Sequence, residues 1–213
     1  MKITRKHFLR SLSGLAGAGF CLRGAAPSLR GESAPSLRGD TAPSLRGESA
    51  APAGKAGSLA MRDLGKKSGL RITCLGMGAT RTMEPALVLA AVDQGINFLD
   101  TGRSYMNGRN EEMIGLALQG KRQQVVIQSK ISLPEGFPET VTAGQARARL
   151  ESELGECLKA LRTDCVDVML LHGVEAGPVL DHEAVLDFFF KAMLAGKIRA
   201  MGFSAHRNHV ALL

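Results

Sequence analysis

From residue 70 onward the chain alternates without a break between short apolar runs and stretches with helical spacing. Nothing else in the sequence restricts the fold as strongly. A strand, a crossover helix and a second strand place the two strands parallel, and repeating that unit builds a parallel sheet covered by helices. Five runs read as strands, at 71–78, 97–100, 125–130, 166–171 and 198–204. Between the first two, Pro85 sits in an opening turn, where its missing N–H does little harm. Ala86, Leu87, Leu89, Ala90 and Val92 form an apolar stripe that stops at Gly95. A second helix is expected over 111–118, closed by Gly120. Thr142 and Gln145 have the spacing of a capping box. Ala146, Leu150, Leu154, Leu158 and Leu161 follow at helical intervals. Asp181 is expected to cap a fourth helix carrying Val185, Phe188, Phe189 and Ala192, and a further helix is expected to begin at 207.

Both a doubly wound sheet and a (β/α)8 barrel fit this alternation. The segment Gly76-Met77-Gly78-Ala79-Thr80-Arg81 lacks the third glycine of GxGxxG, which removes the main support for a Rossmann sheet. Polar residues collect where strands end. Asp100 closes the second, Lys130 the third, His172 the fourth and Ser204 the fifth; Tyr105, the only tyrosine, follows Asp100 by five residues. In a barrel, that edge is where active sites are built. Each residue has a plainer explanation alone. Asp100 could cap a turn, Tyr105 could decorate a loop, Lys130 could be solvated, and His172 could be a hydrogen-bonded core residue.

Taken in order, the segments Leu75-Gly76-Met77-Gly78, Asp100-Thr101-Gly102-Arg103-Ser104-Tyr105, Ser129-Lys130, 167–172 and 196–204 resemble the aldo/keto reductases. The resemblance covers residues 68–213. It implies an α/β fold, a partial (β/α)8 TIM barrel with about five of its eight parallel strands. It also implies reduction of a small aldehyde or ketone with NADPH, or with NADH as the alternative. The family's tetrad falls on Asp100, Tyr105, Lys130 and His172, with Tyr105 as proton donor and Lys130 beside it. Asp100 would hold Lys130, and His172 would orient the carbonyl oxygen. Ser204 falls where the family holds the nicotinamide carboxamide. Many members follow that serine with Asn; here Ala205 and His206 follow, so His206 or Asn208 would have to substitute.

The family's sixth to eighth strands, its aromatic stacking partner for the nicotinamide and its 2′-phosphate pocket have no counterpart in the sequence. The expectation is therefore a gene fragment or interrupted frame. Residues 58–213 alone would not be a stable cofactor-binding monomer, because side chains such as Phe98 and Met169, if they point inward, would lack partners. Two alternatives stand beside the reductase: a non-enzymatic exported remnant or scaffold, and an exported relative with a C-terminal iron–sulfur module.

Charge argues against a nucleic-acid partner. Residues 1–57 hold nine Lys/Arg and three Asp/Glu, whereas 58–213 hold eighteen and seventeen. The globular part is thus close to neutral. Cys21, Cys74, Cys157 and Cys165 form no CxxC. No metal site is expected, and buried free thiols are the simplest reading. Residues 1–26 read as an export signal. Lys2, Arg5, Lys6 and Arg10 precede an apolar stretch at 11–22 that is too short to span a bilayer. Residues 4–10 resemble a twin-arginine signal with Lys6 at the second arginine, which implies a periplasmic destination. Three octapeptides at 26–33, 34–41 and 42–49 share the core APSLRG. A unit with one Leu, a Pro and a Gly cannot bury a core, so 27–57 reads as a disordered linker. Residues 58–213 would be the barrel domain.

Overall fold

The computed structural model describes residues 58–65, 68–207 and 212. The expected export signal and octapeptide linker lie outside the described residues, as does most of the helix expected from 207.

The alternation folds into a five-stranded parallel sheet with its strands in chain order. The strands are β3 (Met77–Gly78), β4 (Phe98–Asp100), β5 (Val126–Ile131), β6 (Val166–Leu171) and β7 (Ile198–Phe203). The helices between them are α1 (Pro85–Asp93), α2 (Arg109–Ala117), α3 (Ala143–Ala160), α4 (Gly177–Leu180) and α5 (Glu183–Leu194). A separate antiparallel pair precedes the sheet, β1 (Met61–Asp63) with β2 (Arg71–Thr73), in register Met61↔Thr73.

The first expected strand is therefore two. Thr73 donates from Oγ1 to the Leu75 carbonyl at 2.7 Å, and its N–H is taken by Asn97 Oδ1 at 2.7 Å. These local bonds turn the chain at Cys74, so 71–73 joins the hairpin and only Met77–Gly78 enters the parallel sheet. An apolar run shows its length but not a side chain that diverts its backbone.

The two sheet faces bury different sets. Leu99, Ile127, Ile131, Met169 and Leu171 belong to the main core, together with Ile114, Leu150, Leu154 and Phe188 from the helices. The opposite face contributes Val126 and Val168, with half-buried Phe98, Leu170 and Ala200, and is covered by Leu70 and Ile72 of the hairpin region. Met169 thus lies on the helix side, fully buried, and not on the inner face; Phe98 packs in the inner cluster. The helices sit close to one another. A Cβ on Gly115 of α2 would lie 2.3 Å from the Ala160 carbonyl oxygen at the end of α3, so only glycine lets these two meet there.

Three expectations about the helices need revision or gain detail. In α1 the buried residues are Val88 and Val92, while Leu87 is 53% exposed; of the expected stripe Val92 is buried and Leu89 half-buried, Ala86 and Ala90 are exposed, and the buried Val88 lies outside it. The capping box of α3 is present, with Gln145 N–H donating to Thr142 Oγ1 and Thr142 N–H to Gln145 Oε1. Asp181 does not cap α5. His182 does, its Nδ1 accepting from Ala184 N–H at 3.2 Å, while its ring meets Phe137 edge-on at 4.7 Å. Of the cysteines, Cys157 and Cys165 are buried but Cys74 is exposed at the turn after β2. Among the described residues no helix is long and apolar enough to cross a membrane.

Candidate active site

The register sets which side chains share the inner face. Gly78, Asp100, Gln128, Val168 and Ala200 stand level across the five strands. Lys130, Leu170 and Gly202 form the next level toward the strand ends. Side chains alternate across a strand, so residues two apart share a face. That rule places Asp100, Gln128 and Lys130 together, with His172 and Ser204 continuing the same rows just past β6 and β7.

Asp100 and Lys130 meet directly. Lys130 Nζ donates to Asp100 Oδ1 at 2.6 Å and to the Thr101 carbonyl at 2.7 Å. Gln128 Nε2 donates to the same carboxylate oxygen at 2.7 Å. The lysine side chain is only 8% exposed. A buried ammonium is tolerated when a counter-charge and further acceptors replace its water, and here both are present.

Tyr105 stands above this pair. The loop after β4 begins with Arg103 N–H donating to the Lys130 carbonyl, and Tyr105 N–H to the Gly102 carbonyl, both at 2.9 Å. The phenol ring lies against Gly102, where an added Cβ would be 3.4 Å from three ring atoms. Lys130 Nζ is 4.8 Å from the ring centroid. The His172 ring meets Tyr105 edge-on, with centroids 5.9 Å apart, and Ser104 Oγ is 3.4 Å from His172 Nδ1.

His172 titrates below the ordinary histidine range. Burial is the first cause, followed by the positive charges of Lys130 and His206; Asp100 and Glu153 oppose the shift. The folded state therefore holds its proton less well than the unfolded chain. Any contribution to stability is present at and above pH 6.5, and is lost as pH falls from there toward the lowered folded value. The imidazole is neutral at pH 7, able to donate from one nitrogen and accept at the other. In an NMR titration, the His172 ring should show a midpoint below 6.5, and Lys130→Met should move that midpoint upward. A midpoint above 6.5 would show that the carboxylates outweigh burial and Lys130.

Ser204 lies beside His172. Its N–H donates to the Leu171 carbonyl at 2.9 Å, and its Oγ accepts from Gly173 N–H at 3.0 Å. Among the described residues the hydroxyl proton has no acceptor. His206 is exposed and Ala205 half-buried, while Asn208 lies outside the described residues. All five site residues expected from sequence thus reach one end of the sheet.

Sequence reasoning missed three groups. Gln128 was legible, since it lies two residues before Lys130 on a strand. Asn110 was not. It is fully buried, accepts from Thr101 Oγ1 at 2.6 Å and donates to the carbonyls of Ala79 and Thr82 at 2.8 Å, tying the loop after β3 to the site. The third is the ion pair of half-buried Arg103 with buried Glu111 at 2.6 Å. Only folding brings its partners together.

A model of the aldo/keto reductase family matches residues 78–211. The chain belongs to that family. Over 119 residues it is 35% identical to aldo-keto reductase YhdN of Bacillus subtilis, an alignment covering 55% of this chain and 35% of YhdN. Over 124 residues it is 30% identical to methylglyoxal reductase YeaE of Escherichia coli, covering 58% of this chain and 39% of YeaE. The chain thus spans less than half the length of these curated relatives. Among solved structures, the holo form of aldo-keto reductase AKR11C1 from Bacillus halodurans superposes with a TM-score of 0.61 at 28% identity, covering 72% of this chain and 52% of that one. An aldo-keto reductase from Klebsiella pneumoniae in complex with NADPH superposes at 0.53 and 28% identity, covering 65% and 47%. The five-stranded sheet is therefore the aldo/keto reductase arrangement of a partial barrel.

Proposed function

We propose that this aldo/keto reductase reduces a small aldehyde or ketone to the alcohol with NADPH. The observation that carries the reading is the convergence of Tyr105, the ion pair of buried Lys130 with half-buried Asp100, and His172 at one end of the sheet. The cofactor supplies the hydride for the carbonyl carbon. The chain's part is the other half of the reaction, because the carbonyl oxygen gains negative charge and needs a proton. Tyr105 gives its hydroxyl proton to that oxygen. The Lys130 ammonium beside the ring stabilises the phenolate left behind, and Asp100 fixes the ammonium in place. His172, uncharged, donates a hydrogen bond to the substrate oxygen and aims it at Tyr105.

The residues present fit the nicotinamide end of the cofactor. The Ser204 hydroxyl proton has no acceptor among the described residues and can be given to a carboxamide oxygen, and Asp100 is already neutralised by Lys130. The Klebsiella relative with NADPH supports the phosphorylated cofactor over NADH. The test is NADPH oxidation by the full chain with a panel of small carbonyls; no carbonyl-dependent oxidation would leave the exported scaffold as the better reading.

Export to the periplasm through residues 1–26 belongs to the same proposal. It is supported by the basic start, the short apolar stretch and Gly24-Ala25-Ala26 as a cleavage site. A reporter fused after residue 57 should leave the cytoplasm and lose its leader. Lys6→Arg should raise the exported fraction if the twin-arginine route is used. A fusion that stays cytoplasmic with its N-terminus intact would refute export.

A further inference from the structure

We propose that Arg103 is a positioning residue for Tyr105, acting through a clamp formed with Gly108 and the buried Glu111. The inference rests on the reading of Tyr105 as the acid only for its kinetic consequence; the clamp itself is a statement about the loop.

The backbone after Tyr105 is unusual. Met106, Asn107 and Gly108 have φ of 52°, 55° and 84°, three consecutive left-handed residues. An L-residue resists that region, a long side chain such as Met more than Asn or Gly. A run of this kind persists only where its surroundings over-determine it. Within the turn Asn107 N–H gives only a long bond to the Ser104 carbonyl at 3.4 Å, and Arg109 donates to the Met106 carbonyl from its backbone N–H and, at 3.3 Å, from Nε.

A second set of contacts comes from Arg103, ahead of the turn. A Cβ on Gly108 would lie 1.3 Å from Arg103 Nη2 and 2.3 Å from Cζ. The guanidinium therefore occupies the space a side chain would take, pressed on the Gly108 backbone. Its other nitrogens are held. Nη1 donates to Glu111 Oε2 at 2.6 Å, and Nε lies 3.7 Å from Glu156 Oε2 of α3. Glu111 is fully buried, and its second oxygen accepts from Ser129 Oγ at 2.6 Å and from the Cys157 thiol. The charge on Glu111 is one reason, after burial, that the Cys157 thiol titrates well above its ordinary range. Cys157 thus stays a neutral donor to that carboxylate.

The chain of contacts has a direction. Ser129 precedes Lys130 on β5 and faces the helices, so Glu111 is anchored to the strand that carries the catalytic ammonium. Arg103 N–H donates to the Lys130 carbonyl, and its side chain reaches over to Gly108. Tyr105 lies between these two fixed points. The clamp thereby sets the ring against Gly102 and within 4.8 Å of Lys130 Nζ.

The chain contains one Tyr and no Trp, so near-ultraviolet emission reports on Tyr105 alone and needs no turnover. In the full chain, Arg103→Met should lower the emission anisotropy toward that of a freely rotating side chain, with the far-ultraviolet circular dichroism unchanged. Arg103→Lys should recover part of it, because an ammonium can still pair with Glu111 but cannot cover Gly108. Gly108→Ala probes the same contact from the other side, and should loosen Tyr105 even if Arg103→Met fails to fold. Where the chain turns over a carbonyl, Arg103→Met should lower kcat roughly 10- to 100-fold, and that loss should vanish in a Tyr105→Phe background. Unchanged anisotropy in folded Arg103→Met, or in Gly108→Ala if the first does not fold, would overturn the clamp. Loosened emission without any turnover in the wild-type chain would uphold the clamp and sink the reductase reading instead.

Discussion

Tyr105→Phe in the full chain is expected to lower kcat by roughly 10²–10⁴-fold while leaving NADPH binding intact. The substitution removes one oxygen. The ring keeps its place over Gly102, its edge contact with His172 at 5.9 Å and its distance of 4.8 Å from Lys130 Nζ, so the fold and the neighbouring groups lose little. What disappears is the proton. In the proposed reaction, the oxygen formed when hydride reaches the carbonyl carbon must then be protonated by water or by His172. His172 is neutral at pH 7, because burial and Lys130 depress its titration, and a neutral imidazole is a weak acid. The loss should therefore narrow as pH falls and His172 gains a proton, although a charged His172 beside Lys130 costs the site some stability. Initial rates of NADPH oxidation at saturating carbonyl, across pH, measure both effects. Equal turnover in the two proteins would remove Tyr105 from the acid role.

The sheet was legible because its strands differ sharply from what separates them. The run at 166–171 coincides with β6, and 125–130 is displaced from β5 by one residue. In each, β-branched or long apolar residues predominate, interrupted by Gln128 and Ser129 in one and Asp167 in the other, and Lys130 and His172 mark the end where the candidate site lies. The candidate site residues were legible for the same reason. Lys130 sits in a run that is otherwise apolar or uncharged, and His172 directly after one, where burial makes a charge or an imidazole conspicuous. The 71–78 segment misled because its apolar content is continuous, while the decision to turn at Cys74 rests on the Thr73 hydroxyl and on Asn97. Asp181 misled for a related reason. Aspartate is the better cap by type, but the His182 imidazole also makes an aromatic contact with Phe137 that no local pattern encodes. Arg103 and Glu111 were hidden more deeply. Their partners, Gly108, Ser129, Glu156 and Cys157, come from a loop, a strand and a second helix.

Lys130 and Asp100 should behave as one unit. Lys130→Met removes the charge beside the phenol and should lower kcat by roughly 10²-fold or more. Asp100→Asn keeps an oxygen to accept from Lys130 Nζ and Gln128 Nε2, but it leaves an ammonium that is 8% exposed without a counter-charge. Breaking a buried pair in this way costs about 3–5 kcal/mol when both partners are dry. The Asp100 side chain is 29% exposed, so water screens part of that, and the cost should fall toward the lower end. Lys130 can respond by losing its proton or by turning outward, and either change takes the charge from Tyr105. The kinetic defect of Asp100→Asn is thus the defect of Lys130→Met reached by another path. The double variant should lose little more in kcat than the worse single one, because groups that act together are non-additive. It should also be more stable than Asp100→Asn alone, since it no longer buries an unpaired ammonium. Thermal unfolding of the four proteins tests the second expectation without any turnover. Losses in kcat that simply multiply would show that Asp100 and Lys130 serve separate steps, even though they lie 2.6 Å apart.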